Sequence, residues 1–232
     1  MRKRHANPYK EIANEAFAQG APQKRFFSKN EEIERIPVLI RSIPIMWGIP
    51  CDEVMYSKFF TAFFRSANLM PWDALATTES TYLPDARNQI HKAFVEKSDM
   101  PYLLMVDSDI MMPPHTAEIL LSHNLPIVAG WYRNKHPMMA HHPVVYDFVS
   151  ENEGAINWRP RQEPGKGLEK IGGVGAGCIL MSRAVAEALG PKPYDMNRGT
   201  EDLVLCRKLM NLGIDLYVDW NVNCAHIGVS WV

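Results

Sequence analysis

The chain has 232 residues, of which 47% are hydrophobic and 22% charged, a composition that excludes disordered, collagen-like and coiled-coil classes. That length buries a substantial core and fits one α/β domain. With 25 basic and 26 acidic residues the formal charge is −1, so no whole-molecule field marks nucleic acid as the main partner.

Residues 1–35 are polar and charged, with one short helical pattern at Tyr9 to Ala18, and read as an extension to a single domain spanning 36–232. Val38 to Ile40 and Ile43 to Trp47 are short apolar runs, one of them the first central strand. Val54 to Ala67 carries Val54, Met55, Phe59, Phe60, Phe63 and Phe64 at helical spacing behind an N-cap candidate, Asp52, and reads as a helix whose aromatic stripe packs in the core. A strand at Trp72 to Thr77, a helix at Pro84 to Glu96 with proline in its first turn, and a fully apolar strand at Tyr102 to Val106 follow. Pro113-Pro114 opens another helix through Leu121, and Pro126 to Trp131 is a further strand. This β-α-β-α-β-α-β order implies a mainly parallel sheet covered by helices on both faces.

Residues 133–170 read as loops or hairpin strands. Gly172 to Gly177 leads into a strand at Cys178 to Met181 and a helix at Ala184 to Leu189. Thr200 is the expected N-cap of a last helix through Leu212, ended by Gly213, with a strand at Ile214 to Val218 behind it. The four cysteines, Cys51, Cys178, Cys206 and Cys224, have no CxxC or zinc-like spacing and read as reduced, buried thiols. No apolar stretch reaches bilayer length and no signal-peptide core follows Arg2, Lys3 and Arg4, so the expectation is a cytoplasmic protein.

A parallel sheet places its ligand site beyond the carboxyl ends of its strands, where Asp107-Ser108-Asp109 follows the most apolar strand. Carboxylates at i and i+2 of an extended segment point the same way and can converge on a hard cation. Taken alone, the pair reads sooner as one aspartate capping the helix that starts near Pro113 and one loop carboxylate than as a metal site.

The run Tyr102 to Asp109 resembles the DxD strand end of the GT-A nucleotide-sugar glycosyltransferases, and the resemblance extends over roughly 38–228. It implies a GT-A-like fold, a nucleotide-diphosphate sugar as donor substrate and Mn²⁺ or Mg²⁺ as cofactor. The metal falls to Asp107, Asp109 and His226, the last in Asn223 to Gly228, which resembles the segment that supplies a histidine ligand. Arg87 and Asn88, about twenty residues upstream, resemble the element that approaches the nucleotide or its phosphates, with Ser108 inside the same donor site. Arg87 as a surface ion-pair partner is the other reading. Glu201-Asp202, at the start of the last helix, resembles the acidic pair beside the acceptor, with Asp202 as general base and Glu201 the alternative. Acidic residues also favour a helix's first turn for dipole reasons alone.

Gly172 to Gly177 enters a strand, so it is not a dinucleotide fingerprint. It resembles a segment where backbone approaches donor and acceptor, while Trp131 and Tyr132 either stack on a ligand or pack in the core. His136, His141 and His142 are read as solvated or acceptor-facing. The expected activity is inverting sugar transfer to an acceptor hydroxyl on a glycan, a protein, a small molecule or a hydroxymethylated DNA base. A nucleotidyltransferase of the sugar-nucleotide pyrophosphorylase kind and a non-catalytic binding protein of the same fold are the alternatives.

Overall fold

The structure is a computed structural model and describes residues 41–52, 55–79, 82–135, 139, 142–152, 155–197 and 199–227. The Tyr9 to Ala18 helix, the 1–35 extension and the Val38 to Ile40 run lie outside them.

The elements in chain order are β1 (Ile45–Ile49), α1 (Ser57–Ser66), β2 (Ala74–Thr77), α2 (Leu83–Lys97), β3 (Tyr102–Val106), β4 (Ile110–Met111), α3 (Thr116–Ser122) and β5 (Ile127–Tyr132). Then come β6 (Val145–Asn152), β7 (Ala155–Pro160), β8 (Leu168–Ile171), β9 (Gly173–Val174), β10 (Cys178–Ser182), α4 (Arg183–Leu189), α5 (Glu201–Asn211) and β11 (Leu216–His226). The main sheet has the order β2-β1-β3-β10-β5-β11-β4, with β8 paired to β11, and β7-β6-β9 form a smaller sheet. The direct ladders make β1, β2 and β3 parallel to one another and β5 parallel to β11. Because β10 runs antiparallel to both β3 and β5, all five share one direction, and the sheet is mainly parallel.

Its central strands β1, β3, β5 and β10 are almost wholly apolar because both faces are covered. On one face α2, α4 and α5 press Ile90, Phe94, Val185, Leu205 and Leu209 onto Met46, Leu103 and Met105. On the other, α1 and α3 press Phe59, Phe63 and Leu120 onto Trp47, Leu104 and Val106.

Several boundaries differ from the sequence reading. α1 begins at Ser57 with Tyr56, not Asp52, in the N-cap position. Only half of its aromatic stripe is core: Phe59 and Phe63 are buried, while Phe60 and Phe64 are exposed. α3 starts at Thr116 rather than at Pro113-Pro114, after His115 takes a left-handed conformation (φ 62°). Pro114 restricts only Pro113; the left-handed His115 interrupts the helical run, and the first turn forms after it with the Ile119 amide donating to His115 O (2.9 Å). β2 is shorter than its apolar run, and β11 is much longer, running through a bulge between Val218 and Asn223 to reach His226. The hairpin expected within 133–170 is β6 and β7.

A buried carboxylate fixes the first corner of the sheet. Asp73 accepts from Arg41 Nη1 and Nη2 (2.8 and 2.5 Å), the Ile45 and Met70 amides (3.1 and 3.0 Å) and Trp47 Nε1 (3.1 Å). Burial would raise its pKa, but the bonds from Arg41, Met70 and Trp47 outweigh that and hold it below 3.8. Stability from this group is therefore complete above 3.8 and lost as pH falls through the depressed value. Asp73→Ala should destabilise the fold by about 3–5 kcal/mol at neutral pH, because it takes the closer of two carboxylate partners from the buried Arg41, leaving Glu118 at 3.3 Å, and strips the Ile45, Met70 and Trp47 donors of their acceptor. Urea unfolding should show that difference shrinking in acid.

Candidate active site at the carboxyl end of β3

The site forms where three distant segments meet one guanidinium. Arg87 lies in α2 on the stripe shared with Ile90, His91 and Phe94, and it is 1% exposed. Its Nη2 donates to Asp107 Oδ1 and Oδ2 (3.0 and 2.7 Å). Its Nη1 donates to Glu201 Oε1 (3.1 Å) and Asp202 Oδ1 (2.5 Å). Burial opposes the Arg87 charge, and the fields of Asp107 and Asp202 override it, so the guanidinium stays charged. The three carboxylates keep 14–18% of their side chains exposed. They outnumber their counterion and present that excess negative charge at the edge that solvent reaches.

Asp107-Ser108-Asp109 is a turn tied on both sides. The Asp107 amide donates to Gly177 O (3.0 Å), the Ile110 amide to Asp107 O (3.0 Å), and the Ile227 amide to Asp109 O (2.8 Å). Antiparallel pairing of β4 with β11 sets His226 opposite Ile110. The His226 Nδ1 lies 2.9 Å from the Arg133 carbonyl, which can only accept, so Nδ1 carries the proton and Nε2 faces Asp109 Oδ2 at 3.7 Å. Lys135 also pairs with Asp109 Oδ2.

Environment separates the carboxylates. Burial pushes the Asp107 carboxyl above its ordinary range against the opposing pull of Arg87. Burial likewise takes Asp202 up to about 6, with Arg87 opposing and Glu201 and Asp107 adding to the rise. At Asp109 burial would raise the pKa, but the neighbouring His226 and the Lys135 ion pair prevail and lower it.

The expected residues thus converge, with different partners from those expected. Arg87 is neither a surface ion-pair residue nor turned to a nucleotide, since its terminal nitrogens bind carboxylates. Asn88 is engaged by the Tyr194 backbone, donating to its carbonyl (2.7 Å) and accepting from its amide (3.0 Å). Asp107, Asp109 and His226 do not form one metal set, because both Asp107 oxygens are held by Arg87. Among the described residues no group of three or more His, Cys, Asp or Glu is placed to hold a metal ion. Asp109 and His226 remain as a facing pair, which suits a cation that draws its other ligands from substrate phosphates rather than from a protein cage.

Trp131 and Tyr132 are interior residues, 3% and 5% exposed. Trp131 Nε1 donates to Trp220 O (2.9 Å), and the Tyr132 ring meets His226 edge-on at 5.1 Å. The glycines explain themselves against Tyr132: a Cβ on Gly175 would lie 2.1 Å from Tyr132 Oη, and one on Gly177 3.0 Å from Asp107 Oδ2. His142 Nδ1 bonds to Gln162 O (3.2 Å), whereas His136 and His141 lie outside the described residues. Lys135 and Tyr194, whose ring centroid lies 5.5 Å from Arg87 Cζ, had no local sequence signal to single them out.

An acid whose folded pKa is raised holds its proton in the folded state, so its stabilising contribution is complete below 3.8 and is lost as pH rises through about 6. Asp202→Asn removes that loss. Relative to the parent, its melting temperature should rise between acid and mildly alkaline pH, with a gain on the order of 1–3 kcal/mol. A pH-independent difference in a thermal melt series would contradict this.

No protein-family profile matches the chain, and no curated protein matches it. Solved structures do. The crystal structure of A197 from STIV superposes with a TM-score of 0.54 at 15% identity, over 80% of this chain and 85% of that one. The crystal structure of GalNAc-T7 with UDP, GalNAc and Mn²⁺ superposes with a TM-score of 0.55 at 10% identity, over 79% of this chain and 43% of that one. At these identities the likeness bears on the fold, which is GT-A-like α/β.

Proposed function

We propose that the chain is a nucleotide-sugar-dependent glycosyltransferase that moves a sugar from a nucleotide-diphosphate donor to an acceptor hydroxyl with inversion. The observation that carries this reading is the tied Asp107-Ser108-Asp109 turn, facing His226 and backed by the Arg87 carboxylate cluster at the carboxyl end of β3. Asp109 and His226 would hold Mn²⁺ or Mg²⁺, which supplies positive charge for the departing diphosphate when bound.

The chain's own groups carry the rest. Asp202, ionised above about pH 6, takes the acceptor proton as the acceptor oxygen bonds to the anomeric carbon and the bond to the phosphate oxygen breaks. Glu201 is the alternative base on the same arginine. Arg87 and Asn88 position the site, Arg87 through its carboxylates and Asn88 by pinning Tyr194. Ser108 keeps the two aspartates one small residue apart. Lys135, with a side chain 43% exposed, would leave Asp109 and become a counterion for donor phosphate.

A panel of nucleotide sugars with Mn²⁺ should give nucleoside diphosphate release that a chelator abolishes and Asp109→Ala lowers about a hundredfold or more. The rate should rise with pH through an apparent pKa near 6. Pyrophosphate release from a sugar phosphate and a nucleoside triphosphate, or release indifferent to chelator and to Asp109→Ala, would sink the reading.

Lys135→Met should tighten binding of Mn²⁺ alone by about two- to fivefold, the worth of an exposed ion pair, and weaken nucleoside diphosphate binding. Unchanged values in a calorimetric titration would remove Lys135 from the donor site.

A further inference from the structure

Asp109 and His226 reach each other from two pieces of chain. β4 and α3 continue directly from the Asp107-Ser108-Asp109 turn, and β11 carries His226. The pieces are joined beside the candidate site, where Ile110 and Met111 of β4 pair with His226 and Ala225. They are joined again at the far end of α3. There His123, in the C-cap position, sets its Nε2 2.7 Å from Asp219 Oδ2 of β11. Asp219 is 1% exposed, and the His123 side chain 21%.

Asp219 stands at the start of the stretch between Val218 and Asn223 where pairing with β5 shifts. Its second oxygen, Oδ1, accepts from the Asn221 amide (2.8 Å) inside that stretch. The neighbouring Trp220 is fixed as well: its amide donates to Gly167 O (2.8 Å), its carbonyl accepts from Trp131 Nε1 (2.9 Å), and its Nε1 donates to Glu169 Oε2 (2.7 Å). One carboxylate therefore ties the irregular part of β11 to itself and to the end of α3.

A buried carboxylate paired with a histidine is a weak source of stability, because an apolar pair of similar volume does as well or better. The best-attested use of such a pair is to fix register. The two pieces registered here are the ones that carry Asp109 and His226.

We propose that His123 and Asp219 are positioning residues for the Asp109 and His226 pair. Together with the β4 ladder they clamp the β4–α3 segment to β11 at two points, which fixes His226 Nε2 relative to Asp109 Oδ2. Partners behind a metal-binding side chain orient it and tune its affinity, so the clamp also sets Mn²⁺ affinity, a consequence that rests on the proposed cation site. The competing account is a staple that only holds α3 down. It predicts a lower melting temperature with an undisturbed His226.

Two measurements on the full chain separate these accounts: heteronuclear NMR of the histidine rings, with the His226 signal identified by His226→Gln, and Mn²⁺ titration followed by electron paramagnetic resonance. The parent should show His226 protonated at Nδ1. His123→Ala and Asp219→Ala should each give mixed His226 tautomers and weaken Mn²⁺ binding about three- to tenfold. His123→Gln, which returns a donor to Asp219, should restore both. Val185→Ala, which opens the core on the other face of the sheet, should lower the melting temperature and change neither.

A His226 signal unchanged in the alanine variants overturns the proposal, whatever happens to the melting temperature. So does a change that Val185→Ala reproduces, or one that His123→Gln fails to reverse. If Asp219→Ala does not fold, His123→Ala, at a partly exposed position, carries the test. A parent that binds no Mn²⁺ removes the cation site instead, and the His226 tautomer alone then decides the positioning role.

Discussion

A charge sealed inside a protein must be neutralised by groups that the fold brings to it, and Arg87 is that charge here. Its partners come from the end of β3, 20 residues away, and from the first turn of α5, 114 and 115 residues away. Closing α5 against the rest of the domain and compensating Arg87 are therefore one event. The same guanidinium gathers Asp107, Glu201 and Asp202 into a cluster more negative than it can offset, and the surplus faces the side from which a ligand would come.

Three of the carboxylates divide into an interior pair and a rim. Asp107 and Asp202 stand in surroundings closed by Tyr132 and Tyr194, and burial drives both toward the protonated form. Asp109, on the outer side of the turn, is held ionised by His226 and Lys135. Two aspartates separated by one serine thus have opposite electrostatic tasks. One anchors the turn to the arginine and the other offers charge outward. Raised and lowered pKa values side by side are a usual sign of a functional site.

Much of this was legible in the sequence, and the remainder was hidden for identifiable reasons. The apolar run of β3, the proline-led start of α2, the Thr200 position before α5 and the two aspartates are local patterns, and local patterns survive into the structure. Arg87 stands out in the sequence, but its carboxylate partners on α5 do not, because a contact across more than a hundred residues leaves no periodicity. Phe60 and Phe64 repeat with Phe59 and Phe63 at helical spacing, so only the position of α1 at the sheet's edge decides which pair is covered. Lys135 lies in a polar loop like any other lysine. The glycines at 175 and 177 were linked to backbone approach, and the group they approach is Tyr132, a residue of the domain itself.

The bulge in β11 sets the parity of the last strand. Before it, Leu216, Val218 and Trp220 belong to the core under α5, while after it Val222 and Cys224 belong to the opposite core. Pairing with β5 moves from Val218 opposite Ala129 to Asn223 opposite Trp131, an offset of three residues, and an odd offset turns every later side chain over. His226 owes its place beside Tyr132 and Asp109 to that inversion. Residue count between Val218 and Asn223 is consequently as much a determinant of the site as residue identity: a chain shortened there by one would keep its strand and direct the imidazole to the wrong side of the sheet.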